Sequence, residues 1–286
     1  MLKKLTTAIA NYYYFLKGKI IPSHISNGKD IPIIINNFNR LTTLIQLTDS
    51  LTSRGYTRIY ILDNASTYPP LLEYYQTCPF TVFRLKENLG FKALWKSELK
   101  KKFCNDYYIY TDSDVIPIAD CPDDFIDYFL KELKAHPFAR KIGFSLRIDN
   151  LPDQYEHKQK VIDWEKQYYA RPAQNGLFRA PIDTTFALYR PHVGLSRSRS
   201  VEAYRTAYPY QAEHKPWYND SKNLSEEESY YISHCSQITG WTSQSQKKRI
   251  NPPESFQEKL YGNQTAICKR YKSGYVFYGN DLAQPS

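Results

Sequence analysis

From residue 31 onward, short apolar runs alternate with segments in which apolar residues recur at helical spacing. The β-branched run at residues 31–35 is typical of a strand that is buried on both faces. Further strands are predicted at residues 58–62, 80–85, 107–111 and 142–148, and helices at residues 41–51, 69–75, 91–103 and 125–133. Strands that alternate with helices form βαβ units, so we predict an α/β fold with a mostly parallel sheet.

Beyond residue 150 this pattern is weaker. A helix is predicted around residues 161–169, a strand at residues 183–190 and a helix at residues 225–235. We therefore predict three parts, which are an N-terminal basic and aromatic extension at residues 1–30, one α/β domain at residues 31–240 and a C-terminal basic and aromatic tail at residues 241–286. The domain divides into a first half at residues 31–150 and a second half at residues 151–240.

Polar side chains follow the predicted strands at the point where each strand ends. Asn36 and Asn37 follow the first strand, Asp63 the second, and Asp112 and Asp114 the fourth. In a parallel sheet these ends meet at one edge, which is where ligands bind. Two carboxylates spaced i, i+2 can ligate a hard divalent cation and leave positions for substrate phosphates. An isolated Asp-X-Asp is more often a solvated turn, but here the strand context favours a site.

Composition indicates what kind of molecule the protein binds and in which cellular compartment it works. The 286 residues include 38 Lys and Arg against 29 Asp and Glu, a net charge of +9 that favours an anionic partner. The sequence contains neither GxGxxG nor GxxxxGK[ST], so phosphate must be held in another way, for example through a metal ion. Five cysteines without a CxxC pair favour a reducing compartment. No apolar run reaches the ~18 residues that span a bilayer, so we predict a cytoplasmic protein.

Four segments together carry a family resemblance, and they read IIINNFNR (residues 33–40), IYILDNAST (59–67), NLGF (88–91) and YIYTDSDVIP (108–117). In this order and spacing they resemble a GT-A glycosyltransferase of the family-2-like type. Residues 182–191 and 208–218 resemble the second half of bacterial members. The QxxRW motif of processive synthases is absent from the sequence. The resemblance implies the Rossmann-like GT-A fold, a mixed, mostly parallel sheet flanked by helices, and a non-processive enzyme.

The resemblance also implies roles for the residues in the first half of the domain. Nucleotide binding is assigned to Asn37, Phe38, Asn39, Arg40, Asp63, Asn88, Gly90 and Ser113. Asp63 would accept a hydrogen bond from the base, which favours uracil. Asp112 and Asp114 match the metal-binding DxD that bridges Mn²⁺ or Mg²⁺ to the diphosphate. Asn36 and Asn64 depart from the family pattern, in which a proline and a second aspartate are usual.

Roles in the second half are open to alternatives. His214 is a candidate third metal ligand or a structural histidine beside Trp217. Asp183 is a candidate general base for an inverting transfer, or a structural carboxylate. Glu202 and the glutamates at residues 226–228 are rival bases, although the run at residues 226–228 is more typical of a solvated helix face. Trp217 and Tyr218 are candidates for binding the acceptor by stacking, or for core packing.

These assignments predict a metal-dependent, inverting glycosyltransferase that moves a sugar from a nucleotide-sugar, a UDP-sugar first of all, to a saccharide or lipid-linked acceptor. Synthesis of cell-surface polysaccharide or lipopolysaccharide is the implied setting. Two alternatives stay open, which are a sugar-phosphate nucleotidyltransferase and a non-catalytic, basic nucleic-acid-binding protein. The first should show a Gly-rich loop after the first strand, where the chain has Asn36–Asn39. We expect no nucleic-acid partner.

The basic clusters at residues 100–102 and 247–249 are typical of solvated surface. Together with the N-terminal extension, they also suit a peripheral contact with the anionic lipids on the inner face of the cytoplasmic membrane.

Overall fold

The molecule is built around a twisted sheet of nine strands. The structure, a computed structural model, describes residues 9, 12, 23, 25–194 and 203–235, together with the backbone of residues 276–278. The strands of the large sheet are β1 (Ile33–Asn37), β2 (Ile59–Asp63), β3 (Thr81–Arg84), β4 (Tyr108–Asp112), β6 (Lys141–Gly143), β8 (Leu177–Arg179), β9 (Ala187–Tyr189), β10 (Ala203–Thr206) and β12 (Val276–Tyr278). Their order is β12-β3-β2-β1-β4-β9-β6-β10-β8.

A second, smaller sheet lies beside the first. It contains β5 (Val115–Pro117), β7 (Ser145–Leu146) and β11 (Gln211–His214), in the order β5-β11-β7. Strand β11 is antiparallel to β5 and pairs His214 with Val115. The small sheet therefore brings the second half of the chain against the turn that follows β4.

Helices cover the sheet on both faces. They are α1 (Thr42–Ser53), α2 (Pro69–Thr77), α3 (Ala93–Lys96), α4 (Leu99–Phe103), α5 (Phe125–Ala135), α6 (Lys158–Glu165) and α7 (Glu226–His234). Short 3-10 turns lie at Gly28–Asp30, Gly90–Lys92, Lys166–Tyr169, Gln174–Gly176 and Lys215–Tyr218.

Successive side chains of the central strands pack into two hydrophobic cores, one on each face of the sheet. Ile33 and Ile35 join one cluster with Leu44 and Phe129, and Ile34 joins another with Tyr110 on the opposite face. Because both faces are covered, every residue of β1 is buried, as the apolar run at residues 31–35 predicts. Strands β3, β2, β1 and β4 are parallel, whereas β9 is antiparallel to β4. These features confirm the predicted GT-A type of α/β architecture.

Two predicted elements are divided in the structure. The helix expected at residues 91–103 ends at Lys96, because Ser97 has an extended backbone, and resumes at Leu99. The strand expected at residues 142–148 becomes β6 and β7, which belong to different sheets. Gly143 allows this close crossing, since a Cβ there would lie 2.3 Å from the carbonyl oxygen of Phe186.

Topology places a switch point between β1 and β4. The chain leaves β1 toward β2 and β3 on one side and returns to β4 on the other. In register, Asn36 pairs with Asp112, and Asn37 pairs with Asp63. The carboxyl ends of β1, β2 and β4 therefore meet at one edge, the place where ligands bind in open α/β sheets.

The chain ends fall partly outside the described residues. Strand β12 pairs with the edge strand β3, so three residues of the predicted tail extend the large sheet. The basic cluster at residues 247–249 and Glu202 lie outside the described residues. Within the part that the structure describes, no helix is long and apolar enough to cross a bilayer.

Candidate active site

A cavity of about 1130 Å³ opens at the switch point. It is lined on one side by the ends of β1 and β4 and on the other by the segment before β9, by β10 and by α6. The predicted site residues that line it are Phe38, Arg40, Asn88, Gly90, Asp112, Ser113, Asp114, Asp183, His214 and Trp217. Its volume is of the order needed for a nucleotide-sized ligand.

Asp112 joins the two halves of the cavity. Its Oδ2 accepts a 2.6 Å hydrogen bond from Thr184 Oγ1, and its Oδ1 accepts one of 3.3 Å from Asn36 Nδ2. Its backbone N–H donates to the Thr184 carbonyl oxygen. Burial, and then the nearby charge of Asp114, raise the pKa of Asp112 above its ordinary value. Two carboxylates this close repel each other, and a cation between them would relieve that repulsion.

Asp114 faces two nitrogenous side chains. Arg40 Nε lies 3.6 Å from Asp114 Oδ2, and His214 Nε2 lies 3.6 Å from Asp114 Oδ1. Asp114 Oδ1 is buried and accepts no hydrogen bond from the described residues. A buried acceptor without a hydrogen bond destabilises the fold unless a bound ligand contacts it.

His214 reaches this position through the small sheet. Its pairing with Val115 holds it beside the DxD turn, and the backbone N–H of Lys215 donates to the Asp114 carbonyl oxygen. Burial lowers the pKa of His214, although Asp114 opposes the shift. The ring also contacts Trp217 edge-on at 4.7 Å between centroids, so the structural and the metal-facing interpretations of His214 are compatible.

Arg40 is locked in place by α7. Its guanidinium forms a buried, two-pronged pair with Glu228 and stacks 3.9 Å from the ring of Tyr231. Burial opposes its charge, but Glu228 and then Asp114 raise the pKa of Arg40. Arg40 is therefore a fixed cation at the floor of the cavity.

The loop at Asn88–Gly90 is held by Asn64. The Asn64 side chain accepts from Leu89 N at 2.7 Å and donates to the Gly90 carbonyl at 3.0 Å. Asn88 Oδ1 accepts from Gly90 N, and Gly90 has a φ of +70° that favours glycine. The asparagine that departs from the family pattern thus positions one lip of the cavity.

Three of the predicted nucleotide-binding residues lie behind the cavity rather than on its surface. Asn37 donates to the Arg40 carbonyl and to Tyr75, and Asn39 accepts from the backbone N–H groups of residues 67 and 68. Asp63 is fully buried and accepts from Ser66 N, from Tyr75 and from Arg84 Nε, the last at 2.9 Å. These contacts brace the loops at the strand ends, so the structure does not support direct base recognition by Asp63.

Asp183 lies at the rim of the cavity with an exposed side chain. Lys141 Nζ donates to its backbone carbonyl at 2.9 Å, which holds the segment that leads to Thr184 and β9. The segment around Asp183 is an open loop, because β9 begins only at Ala187 and not at residue 183 as expected. Asp183 therefore presents an exposed carboxylate at the edge of the cavity, within a segment whose backbone is held.

For the predicted acceptor-binding pair, burial and position favour the alternative of a structural role. Trp217 is 2% exposed and belongs to the core, and Tyr218 lies outside the cavity lining with its hydroxyl bonded to Asn150 at 2.7 Å. A ring buried to this degree offers no face for stacking on a sugar. Trp164, which also lines the cavity, is 50% exposed and does offer such a face.

Sequence reasoning missed several residues of the cavity. Thr184 stands in the quoted segment at residues 182–191, but nothing in the pattern indicates that it bonds Asp112. Lys141 stands just before the strand predicted at residues 142–148, and Glu228 belongs to a run that is typical of a solvated helix face. Only its burial and its pairing with Arg40 show that Glu228 belongs to the site.

The side chains of Asp112 and Asp114 fit a divalent cation that is bound by two carboxylates. In the described part of the chain, no group of three or more His, Cys, Asp or Glu is arranged to hold a metal ion by itself. Mg²⁺ and Mn²⁺, however, are commonly bound by one or two carboxylates together with substrate phosphates. The close pair Asp112 and Asp114, with the orphaned Oδ1 of Asp114, has this character.

Comparison with known proteins agrees with this architecture. The family model described as Glycosyl transferase family 2 matches residues 33–192, which is more than half of the chain. A search of curated proteins found no match. The matched region contains the DxD turn and Asp183 but ends before His214.

Proposed function

Because the chain belongs to glycosyl transferase family 2 and is a glycosyltransferase, we propose that it transfers a sugar from a UDP-sugar to a saccharide or lipid-linked acceptor, with a divalent cation held by Asp112 and Asp114. The observation that carries the proposal is the DxD turn itself. Both carboxylates line the cavity at the switch point, and Asp114 presents a buried oxygen without a hydrogen-bond partner among the described residues.

The nucleoside diphosphate lies, in this proposal, between the lip at Asn88–Gly90 and the DxD turn. Bound Mn²⁺ or Mg²⁺ would offset the negative charge that develops on the leaving diphosphate. His214 completes the metal site or orients Asp114. Arg40, fixed by Glu228, supplies positive charge at the floor. Uridine is proposed from the family resemblance, and base recognition is assigned to the cavity surface rather than to Asp63.

Asp183 is the proposed general base of an inverting transfer. It would take the proton of the acceptor hydroxyl as that oxygen attacks the anomeric carbon. Its position at the rim, with the side chain exposed and the backbone fixed by Lys141, supports this role.

Cell-surface polysaccharide or lipopolysaccharide synthesis and a peripheral membrane contact are part of the proposal. Ile9 and Tyr12 of the N-terminal extension are 61% and 54% exposed. Lys100, Lys101 and Lys102 are exposed on α4, where Lys102 also lies 4.9 Å from the ring of Phe83. Exposed apolar and basic side chains of this kind suit an anionic lipid surface.

A screen of nucleotide-sugars tests the donor and the base together. With Mn²⁺ or Mg²⁺ present, we expect slow hydrolysis of one UDP-sugar, and loss of that hydrolysis in EDTA. Asp183→Asn should lower the rate by about 100-fold or more, as is usual for a general base, while UDP affinity stays unchanged. Asp153→Asn, at a side chain that is 97% exposed, is the matched control.

The screen also has results that count against the proposal. If no nucleotide-sugar is hydrolysed with either metal, the donor assignment fails. If Asp183→Asn hydrolyses the donor at the wild-type rate, Asp183 is not the base.

A further inference from the structure

One wall of the cavity carries a buried lysine to which the proposed reaction gives no contact with substrate. Lys141 begins β6, is 6% exposed and lines the cavity. Arg140 and Arg205 line the same wall and are 6% and 3% exposed. A buried charge is costly unless it has a partner, so the contacts of Lys141 decide what this wall can bind.

Lys141 is held in a defined orientation. Its Nζ donates to the Asp183 carbonyl at 2.9 Å and to the Tyr189 hydroxyl at 3.0 Å. An ammonium group has three N–H donors. The described residues therefore accept two of them, which leaves one donor for a ligand in the cavity.

The charges around the cavity do not neutralise Lys141. Arg205 Nη1 pairs with Glu165 Oε2 at 2.7 Å, and Arg40 pairs with Glu228 across the cavity. Among the ion pairs of the described residues, none includes Lys141. The nearest carboxylate that acts on it belongs to Asp183, whose side chain is exposed, while Arg205 and Arg140 repel it. The fold thus keeps a basic side chain in the substrate cavity that no described carboxylate fully neutralises, and an anion bound beside it would favour its charged form.

Two aromatic side chains line the same cavity, and one of them lies against Arg205. Trp164 lines the cavity and is half exposed, and the ring of Tyr168, which also lines it, lies 4.0 Å from the Arg205 guanidinium. Exposed aromatic faces suit the apolar face of a sugar ring, while the neighbouring cations suit an anionic substituent on that ring.

We propose that Lys141 binds the carboxylate or phosphate substituent of an anionic substrate sugar that lies beside Asp183. The proposal rests on the glycosyltransferase function above and adds the chemical class of the substrate. The anion belongs either to the donor, as in a UDP-uronic acid, or to the acceptor, as in a sugar phosphate. It supplies the counter-charge that the described residues do not provide.

Calorimetry on the full chain with Mn²⁺ tests both sources. In the donor arm, the dissociation constants of UDP-glucose and UDP-glucuronic acid are compared. In the acceptor arm, the UDP-saturated protein is titrated with methyl glucoside, glucuronate and glucose 1-phosphate. The wild type should bind the anionic member at least about 10-fold more tightly in one of the arms. Lys141→Met should abolish that preference, Lys141→Arg should keep part of it, and the exposed Lys134→Met should keep all of it.

Binding of UDP itself separates the two levels of the argument. If UDP binds in the presence of metal but neither arm shows a preference for the anion, this inference is wrong and the proposed function stands. A preference that survives Lys141→Met also overturns it. If UDP does not bind, the proposed function fails and this inference fails with it.

Discussion

Lys141 shows how the site alters the behaviour of a single residue. Burial lowers the pKa of Lys141 to about 7, and only Asp183 counteracts the shift. An unfolded lysine titrates near its ordinary value of 10.5. Between these two values the unfolded chain binds more protons than the folded one, so stability rises with pH in that window. Below pH 7 the cost of burying the charge is complete, and above pH 10.5 it is gone.

Lys141→Met should remove this pH dependence. Between about pH 8 and 9.5, we expect the wild type to gain up to about 1.4 kcal/mol of unfolding free energy per pH unit relative to the variant. Urea unfolding across that range measures the difference. Lys134→Met, at an exposed position on α5, should follow the wild type. Parallel stability curves for the wild type and Lys141→Met would show that Lys141 keeps its ordinary protonation in the fold.

At the scale of elements, α7 is the part that closes the site from behind. Ser225 caps its first turn by accepting from Glu228 N, Glu227 accepts from the backbone N–H of Thr42, and Glu228 pairs with Arg40. The helix therefore connects the end of β1 with the second half of the chain. The sequence suggests that its acidic first turn is a solvated face. In the structure, Glu227 and Glu228 instead bind Thr42 and Arg40, and we call this pair of contacts the α7 clasp.

Glu228→Gln should remove the negative charge that balances Arg40 in the α7 clasp. Removing one member of a buried pair leaves Arg40 under-compensated and costs about 3 kcal/mol. The free energy of urea unfolding is the measurement. Glu226→Gln changes an exposed glutamate in the same helix turn and should stay within about 0.5 kcal/mol of the wild type. Equal losses in the two variants would contradict the clasp.

Particular elements show what the sequence predicts and what it leaves out. The apolar runs predict β1, β2 and β4, since strands buried on both faces need continuous hydrophobic residues. The DxD turn is predicted as well, because parallel strands end at one edge. Contacts between distant segments are not predictable in this way. Thr184 bonds Asp112, and Arg84 bonds Asp63, across separations that no local pattern reports. The burial of Asp63 and Trp217 could not be predicted for the same reason, because it depends on side chains from distant segments that pack around them.

At the scale of the whole molecule, the fold assembles one cavity from two halves of the chain. The first half supplies the DxD turn and the lip at Asn88–Gly90. The second half supplies Asp183, Lys141 and, through the small sheet, His214. The net charge of +9 is not concentrated on this site, because aspartates and glutamates face the basic residues inside the cavity. A metal ion between Asp112 and Asp114 is what would make the site attractive to a diphosphate.

The most direct test of this account is the affinity for UDP, measured by calorimetry with Mn²⁺ and again in EDTA. We predict that the wild type and Asp123→Asn, a change at a side chain that is 78% exposed, bind UDP only when the metal is present. Asp114→Asn should weaken binding about 100-fold or more, because it removes a charged metal ligand. UDP binding that persists in EDTA, or that is unchanged in Asp114→Asn, would contradict the metal-dependent site.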